Sequence, residues 1–117
     1  MNSKVYDKAY LFAIRIVNAY RHLCNDKKEF VLSKQLLRSG TAIGANIAEA
    51  NGAMSSAEFR AKISIAYKEC LEAKYWLSLL KDTGYFNEKA FDSIYQDAEE
   101  LSKMLWQILK TSREKDR

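Results

Sequence analysis

Gly40, Gly44, Ala48 and Gly52 recur every four residues in GTAIGANIAEANGA, residues 40–53. Closely spaced glycines are what a phosphate-cradling loop would use. Such a loop follows a strand and reads Gly-x-x-x-x-Gly-Lys-Ser/Thr, with the lysine reaching the phosphates. Here no lysine follows the second glycine, and the flanking apolar residues repeat with helical period. A dinucleotide fingerprint fails as well, because there is no strand–turn–helix unit. The run therefore reads as a helix with one edge reduced to small residues. Glycine inside a helix costs about 1 kcal/mol relative to alanine. Close approach of a neighbouring helix at Gly40, Gly44 and Ala48 is the simplest compensation, since small residues four apart let backbones meet. Two polar residues lie in the same stretch. Asn46 is expected to bond a backbone group across the tight contact, and Glu49 to pair with a cation on another helix. A ligand site built on these two is the alternative.

The remaining candidates for chemistry are few. His22 is the only histidine, and Ala19 stands three residues before it, so the Glu-x-x-His pairs of a di-iron bundle are absent. One histidine and two distant cysteines make no spaced zinc motif. His22 and Cys24 are two residues apart and cannot face each other on a helix, while Cys70 falls on an apolar stripe. The carboxylate pairs Glu69/Glu72 and Glu99/Glu100 read as solvated helix charges, with Lys68 and Glu72 an i, i+4 pair. No catalytic, cofactor-binding or metal-ligating residue is expected, and the chain does not read as an enzyme.

Composition agrees with few turns and long elements. The 117 residues contain no proline and four glycines, with 48% hydrophobic and 29% charged residues. That is a single domain's length, with surface enough to bury a core. No apolar run is long enough to cross a membrane. Asp7 and Tyr10 interrupt what would be the core of a signal peptide. A cytoplasmic protein with two free, buried thiols, Cys24 and Cys70, is expected.

Four helical patterns follow. Residues 4–24 carry two apolar stripes. Tyr6, Ala9, Tyr10, Ala13, Val17, Tyr20 and Cys24 form one, and Phe12, Ile16, Ala19 and Leu23 form the other. Residues 29–50 place Leu32, Leu36, Ile43 and Ile47 on a core stripe beside the small residues. Gly52 suits a left-handed residue after the helix end. Residues 56–82 start at Ser55, with Glu58 at capping-box spacing, and bury Phe59, Ile63, Ala66, Cys70, Ala73, Leu77 and Leu80. Residues 88–110 start at Asn87, with Phe86 and Phe91 at staple positions; residues 111–117 are expected to fray. Short connections between four long helices predict an all-α, up-down-up-down antiparallel four-helix bundle occupying residues 1–117 as one domain.

There is more apolar surface than one bundle needs. Ile65, Tyr75, Trp76 and Leu79 point away from the core stripe of the third helix, and the Phe12/Ile16/Leu23 stripe gives the first helix a second face. Surplus apolar faces mark association surfaces, so a homo-oligomer is expected. The net charge of +4 is uneven. Residues 1–38 hold eight Lys/Arg against three Asp/Glu, whereas residues 39–117 hold eleven against twelve. Lys27, Lys28, Lys34 and Arg38 are the leading candidates for phosphate contacts, with Lys110 and Arg113 secondary.

QLLRSGTAIGANIAEA at residues 35–50 and SSAEFRAKISIAYKECLEAKYWLSLL at residues 55–80 resemble the bacterial four-helix-bundle family named after the protein encoded in intervening sequences of the 23S ribosomal RNA gene. The commoner family form reads like SIPANIAEG; here Gly44 stands for the proline and Ala50 for the glycine. The resemblance implies a small up-down bundle assembling into a ring, a homopentamer. A related protein, the accessory protein of diversity-generating retroelements, implies binding of nucleic acid and a reverse transcriptase through basic surfaces, though it is far more basic than this chain. No catalytic activity is attached to the family. Two functions follow as expectations: a non-enzymatic oligomer that binds RNA or DNA through basic residues, or an oligomeric scaffold for a protein partner with no nucleic-acid role.

Overall fold

The computed structural model describes residues 3–115, and these form four α-helices: α1 (Ser3–Asn25), α2 (Leu32–Asn51), α3 (Ser56–Asp82) and α4 (Glu88–Lys115). Each helix packs on its sequence neighbour, and α4 returns to α1. Across the diagonals, α1–α3 and α2–α4, no Cα atoms approach within 8 Å. The ion pairs Lys8–Glu100 and Arg15–Asp97 run in opposite directions along α1 and α4, as antiparallel neighbours require. The bundle measures 49 × 21 × 20 Å. The α1–α2 and α3–α4 connections share one end, and the α2–α3 connection lies at the other.

The helix boundaries have local causes. α2 begins three residues later than its periodicity predicts, because Glu29 stays outside the helix as its cap. The Glu29 carboxylate accepts from the backbone N–H of Ser33 at 2.7 Å, Leu32 at 3.2 Å and Val31 at 3.3 Å, and the Ser33 hydroxyl returns a bond to the Glu29 carbonyl. Three of the four orphan N–H groups of a helix start are thereby engaged. Partial burial pushes the Glu29 carboxyl up, but these backbone donors outweigh it and hold it below the usual carboxylate range. α3 starts as its sequence indicates, with the Glu58 N–H donating to Ser55 Oγ at 3.1 Å. So does α4, where Asn87 Oδ1 accepts from the Ala90 N–H at 2.8 Å. α4 does not fray at residue 110 but continues to Lys115. Residues 116 and 117, also placed in the frayed tail, lie outside the described residues.

The core departs from the expected pattern on α1. Val5, Ala9, Phe12, Ile16 and Leu23 are its buried residues, so the Phe12/Ile16/Leu23 stripe is the inward face and not an association surface. Of the tyrosine-rich stripe only Ala9 is buried; Tyr6, Ala13, Val17, Tyr20 and Cys24 are half-buried and Tyr10 is exposed. Phe, Ile and Leu gain more by full burial than tyrosine, whose hydroxyl prefers water. Leu36, Ile43 and Ile47 of α2, Ile63 through Leu80 of α3, and Phe91 through Leu109 of α4 complete one continuous core.

The small-residue edge of α2 packs on α1. A Cβ placed on Gly40 would lie 2.7 and 2.8 Å from Cγ1 and Cγ2 of Ile16, so the two helices meet there backbone to side chain. At Gly44 the nearest atoms, those of Ala9, are at 3.7 Å, an ordinary contact distance. Ala48 is exposed and takes no part in this contact. Gly52 has φ −98° and is not left-handed; that conformation falls instead to Gly84 (φ 89°) after α3 and to Lys28 (φ 56°) after α1.

Candidate nucleic-acid and assembly surfaces

Lys27, Lys28 and Lys34 sit at the α1–α2 end, where the chain leaves α1 and enters α2. All three are exposed, and none makes an ion pair among the described residues. Phe30 and Val31 are exposed between them, at 52% and 71%. An aromatic side chain flanked by unpaired cations suits a flexible polyanion whose bases can stack.

Arg38 has a different role. Its guanidinium donates to Glu69 at 2.8 and 3.1 Å and also to Glu72. The Glu69 hydrogen bond is the largest influence, and together with the Glu69 charge and Glu72 it outweighs desolvation and holds the guanidinium more firmly protonated than usual. Glu72 also accepts from the Trp76 indole N–H at 3.2 Å. Arg38 is thus the centre of an α2–α3 clamp, its charge compensated by two carboxylates. This explains what Glu69 and Glu72 do, which the sequence alone presented as plain helix charges.

Lys110 and Arg113 lie near the end of α4, at the opposite end of the bundle from Lys27, Lys28 and Lys34. The Arg113 guanidinium stacks over the Trp106 ring at 5.2 Å, and that ring meets Tyr67 at 6.0 Å. The fold therefore does not join the two basic clusters into one surface.

Glu49 does pair across helices, with Lys62 of α3 at 2.8 Å, and this hydrogen bond raises the Lys62 ammonium above its usual range. Asn46 does not reach across. Its side-chain amide donates to the Ala42 carbonyl of its own helix at 2.8 Å, the back-bonding that a polar residue one turn on can make. Neither residue lines the cleft between α1 and α4.

Cys70 is buried and donates to the Ala98 carbonyl at 3.3 Å; burial pushes its thiol up to about 12, with Lys74 pulling weakly the other way. That is an inert core thiol. Cys24 is free and only half-buried. Among the described residues no three His, Cys, Asp or Glu side chains gather as a metal site, and no helix is long and apolar enough to cross a membrane.

Apart from Phe30, Val31, Met54 (91%) and Trp106 (47%), the exposed large apolar residues gather on two outward faces. On α1 they are Tyr10, Leu11 and Ile14, at 56, 63 and 46% exposure. On α3 they are Ile65, Leu71 and Tyr75, at 42, 42 and 58%. Trp76 and Leu79, expected beside them, are half-buried; Trp76 packs toward the core and meets the Tyr75 ring edge-on at 4.9 Å. The α1 face is not legible in the sequence because Tyr10 falls on an apolar stripe with Ala9 and Ala13, while Leu11 and Ile14 fall on neither stripe.

The family model of the 23S rRNA-intervening sequence protein matches residues 1–107. The chain belongs to that family. Its fold is also similar to the crystal structure of a protein of unknown function from the S23 ribosomal protein family of Bacteroides thetaiotaomicron, with 51% identity, a TM-score of 0.92, and coverage of 93% of this chain and 97% of that one. A comparison with curated proteins finds no match.

Proposed function

We propose that this member of the 23S rRNA-intervening sequence protein family is a non-enzymatic ring-forming bundle that holds nucleic acid at the end carrying Lys27, Lys28 and Lys34. The observation that carries the assembly is the pair of exposed apolar faces on α1 and α3. These helices are diagonal in the bundle, so their outward faces point in opposite directions. Two different faces on opposite sides make head-to-tail contacts, and head-to-tail contacts that close make rings. The family resemblance implies five copies. Assembly would repeat the three unpaired lysines around one end, and phosphate contacts multiplied in this way raise affinity without reading sequence.

Two measurements test this. In light scattering after gel filtration, Ile14→Glu and Tyr75→Glu each reduce the wild-type ring to monomer, and mixing them restores only a dimer through the one intact pair of faces. If Tyr75→Glu stays assembled, the faces do not pair head to tail. In fluorescence anisotropy with a structured RNA and a duplex DNA, binding weakens with salt and with Lys27, Lys28 and Lys34 changed to Ala. No binding at low salt would favour the second reading, a scaffold for a protein partner. The compensated charge of Arg38 is the observation on that side.

A further inference from the structure

An open cleft of about 580 Å³ lies between the second half of α1 and the first turns of α4. Its size is that of a small-molecule site. It exists because Ala19 and Ala90 line it where larger residues would close the two helices, and its floor is the buried side chain of Ile94. Arg15 closes the inner end. It is fixed by Ser93 Oγ at 2.8 Å, the Ser93 carbonyl at 3.2 Å and Asp97 at 2.7 Å. Lys27 and His22 line it at the connection end, where His22 Nδ1 bonds Asp26 at 2.8 Å and Lys27 makes no ion pair among the described residues. Tyr85 and Phe86 enter from the α3–α4 connection. They follow the left-handed turn at Gly84 and are packed against the core, so their rings are held in place.

Fixed aromatic rings over an apolar floor suit a flat heterocycle, and an unpaired ammonium beside an imidazole suits an anion. We propose that this cleft binds one nucleotide, its base against Tyr85 and Phe86 and its phosphate at Lys27 and His22. The inference rests on the nucleic-acid reading, because Lys27 belongs to both sites, and it narrows the ligand to unpaired nucleotides. A base inside a duplex cannot enter; an unstacked base at a strand end, or a free nucleotide, can.

The test uses uridine monophosphate, a 5′-phosphorylated U10 RNA and a duplex RNA, with Ala90→Leu filling the cleft. Ala90 is exposed, so the larger side chain does not disturb the core. In NMR titrations, uridine monophosphate shifts the amides of Ala19, His22, Tyr85 and Ala90 in the wild type and not in Ala90→Leu. The variant binds U10 about tenfold more weakly, the worth of one stacked base, with duplex binding unchanged. Cleft shifts from the mononucleotide without U10 binding support a free-nucleotide site and remove the nucleic-acid reading. Salt-sensitive U10 binding that Ala90→Leu leaves intact, with no cleft shifts, overturns the cleft and leaves that reading standing. No response to any probe overturns both.

Discussion

Gly40 and Gly44 lie one turn apart on the same edge of α2, yet alanine should act on them in opposite senses. Replacing either glycine gains about 1 kcal/mol of helix propensity. At Gly44 the new methyl finds Ala9 atoms at 3.7 Å, an ordinary contact, so the gain is kept. At Gly40 it meets Cγ1 and Cγ2 of Ile16 at 2.7 and 2.8 Å. Both are bonded to the branched Cβ of a stiff side chain and cannot swing aside. Relief requires α1 to move, and two contacts under 3.0 Å put the overpacking cost in the upper part of the usual range, about 2–3 kcal/mol. The expected result is Gly44→Ala more stable by about 1 kcal/mol and Gly40→Ala less stable by about 1–2 kcal/mol. For a chain of this size each kcal/mol is about 3–5 °C in Tm. Urea and thermal unfolding followed by circular dichroism, at one fixed protein concentration, would measure both; fixing the concentration matters because the proposed self-association would add to apparent stability.

Ile16 supplies the control. Ile16→Val keeps both Cγ atoms and should not rescue Gly40→Ala. Ile16→Ala removes them, so the double variant should be more stable than the sum of its parts by about 1–2 kcal/mol, a coupling typical of residues in contact. A Gly40→Ala protein as stable as wild type, or additive with Ile16→Ala, would refute close helix approach as the reason for that glycine.

Other perturbations read separate parts of the molecule. Glu29→Ala should cost about 1 kcal/mol, the worth of a helix N-cap. Because the folded state lowers the Glu29 pKa, its contribution is complete above the ordinary carboxylate range near pH 4.3 and is lost as pH falls through the lowered folded value; in urea unfolding from pH 7 to pH 3, Glu29→Gln should lack that component of the slope. Lys28→Gly should stabilise by about 0.5–1 kcal/mol by relieving a left-handed backbone, while Gly84→Ala should destabilise by about 1 kcal/mol through the same strain, there being no atom within 4 Å for the methyl to meet; thermal unfolding would check both. Arg38→Ala should leave RNA affinity unchanged in anisotropy titrations, whereas changing Lys27, Lys28 and Lys34 together should lower the salt slope by about 2–3. Equal losses from the two would mean that Arg38 leaves Glu69 and Glu72 to reach phosphate.

The helices were legible because their signals are local. Ser55 with Glu58, Asn87 with its staple, and the 3.6-residue period need no tertiary knowledge. Which α1 stripe faces inward was not local. Both stripes have helical spacing, and the choice depends on what the other three helices offer. Tyrosine counted as fully apolar makes the two stripes equivalent; Tyr6, Tyr10 and Tyr20 weighted as amphipathic favour Phe12, Ile16 and Leu23 as the inward face. Arg38 shows the same limit. A helical wheel places it correctly away from the core stripe of α2 but cannot show that Glu69 and Glu72 of the next helix meet it there.

That exchange of stripes also changes how the chain can assemble. With Phe12 and Ile16 outward, α1 would be a face without polar atoms that buries equally well against any apolar partner. With Tyr10, Leu11 and Ile14 outward, it mixes two aliphatic side chains with a phenol whose hydroxyl needs a polar partner once buried. The α3 face has the same make-up, since Ile65 and Leu71 stand with Tyr75. Each face is apolar enough to associate and polar enough to remain exposed on a free protomer. Hydroxyls that must be satisfied also discriminate among partners, because an imperfect match leaves a buried group unpaired at about 1–3 kcal/mol. Two such faces on diagonal helices would thus favour a specific head-to-tail contact over indiscriminate sticking, as the proposed ring would require of its protomer.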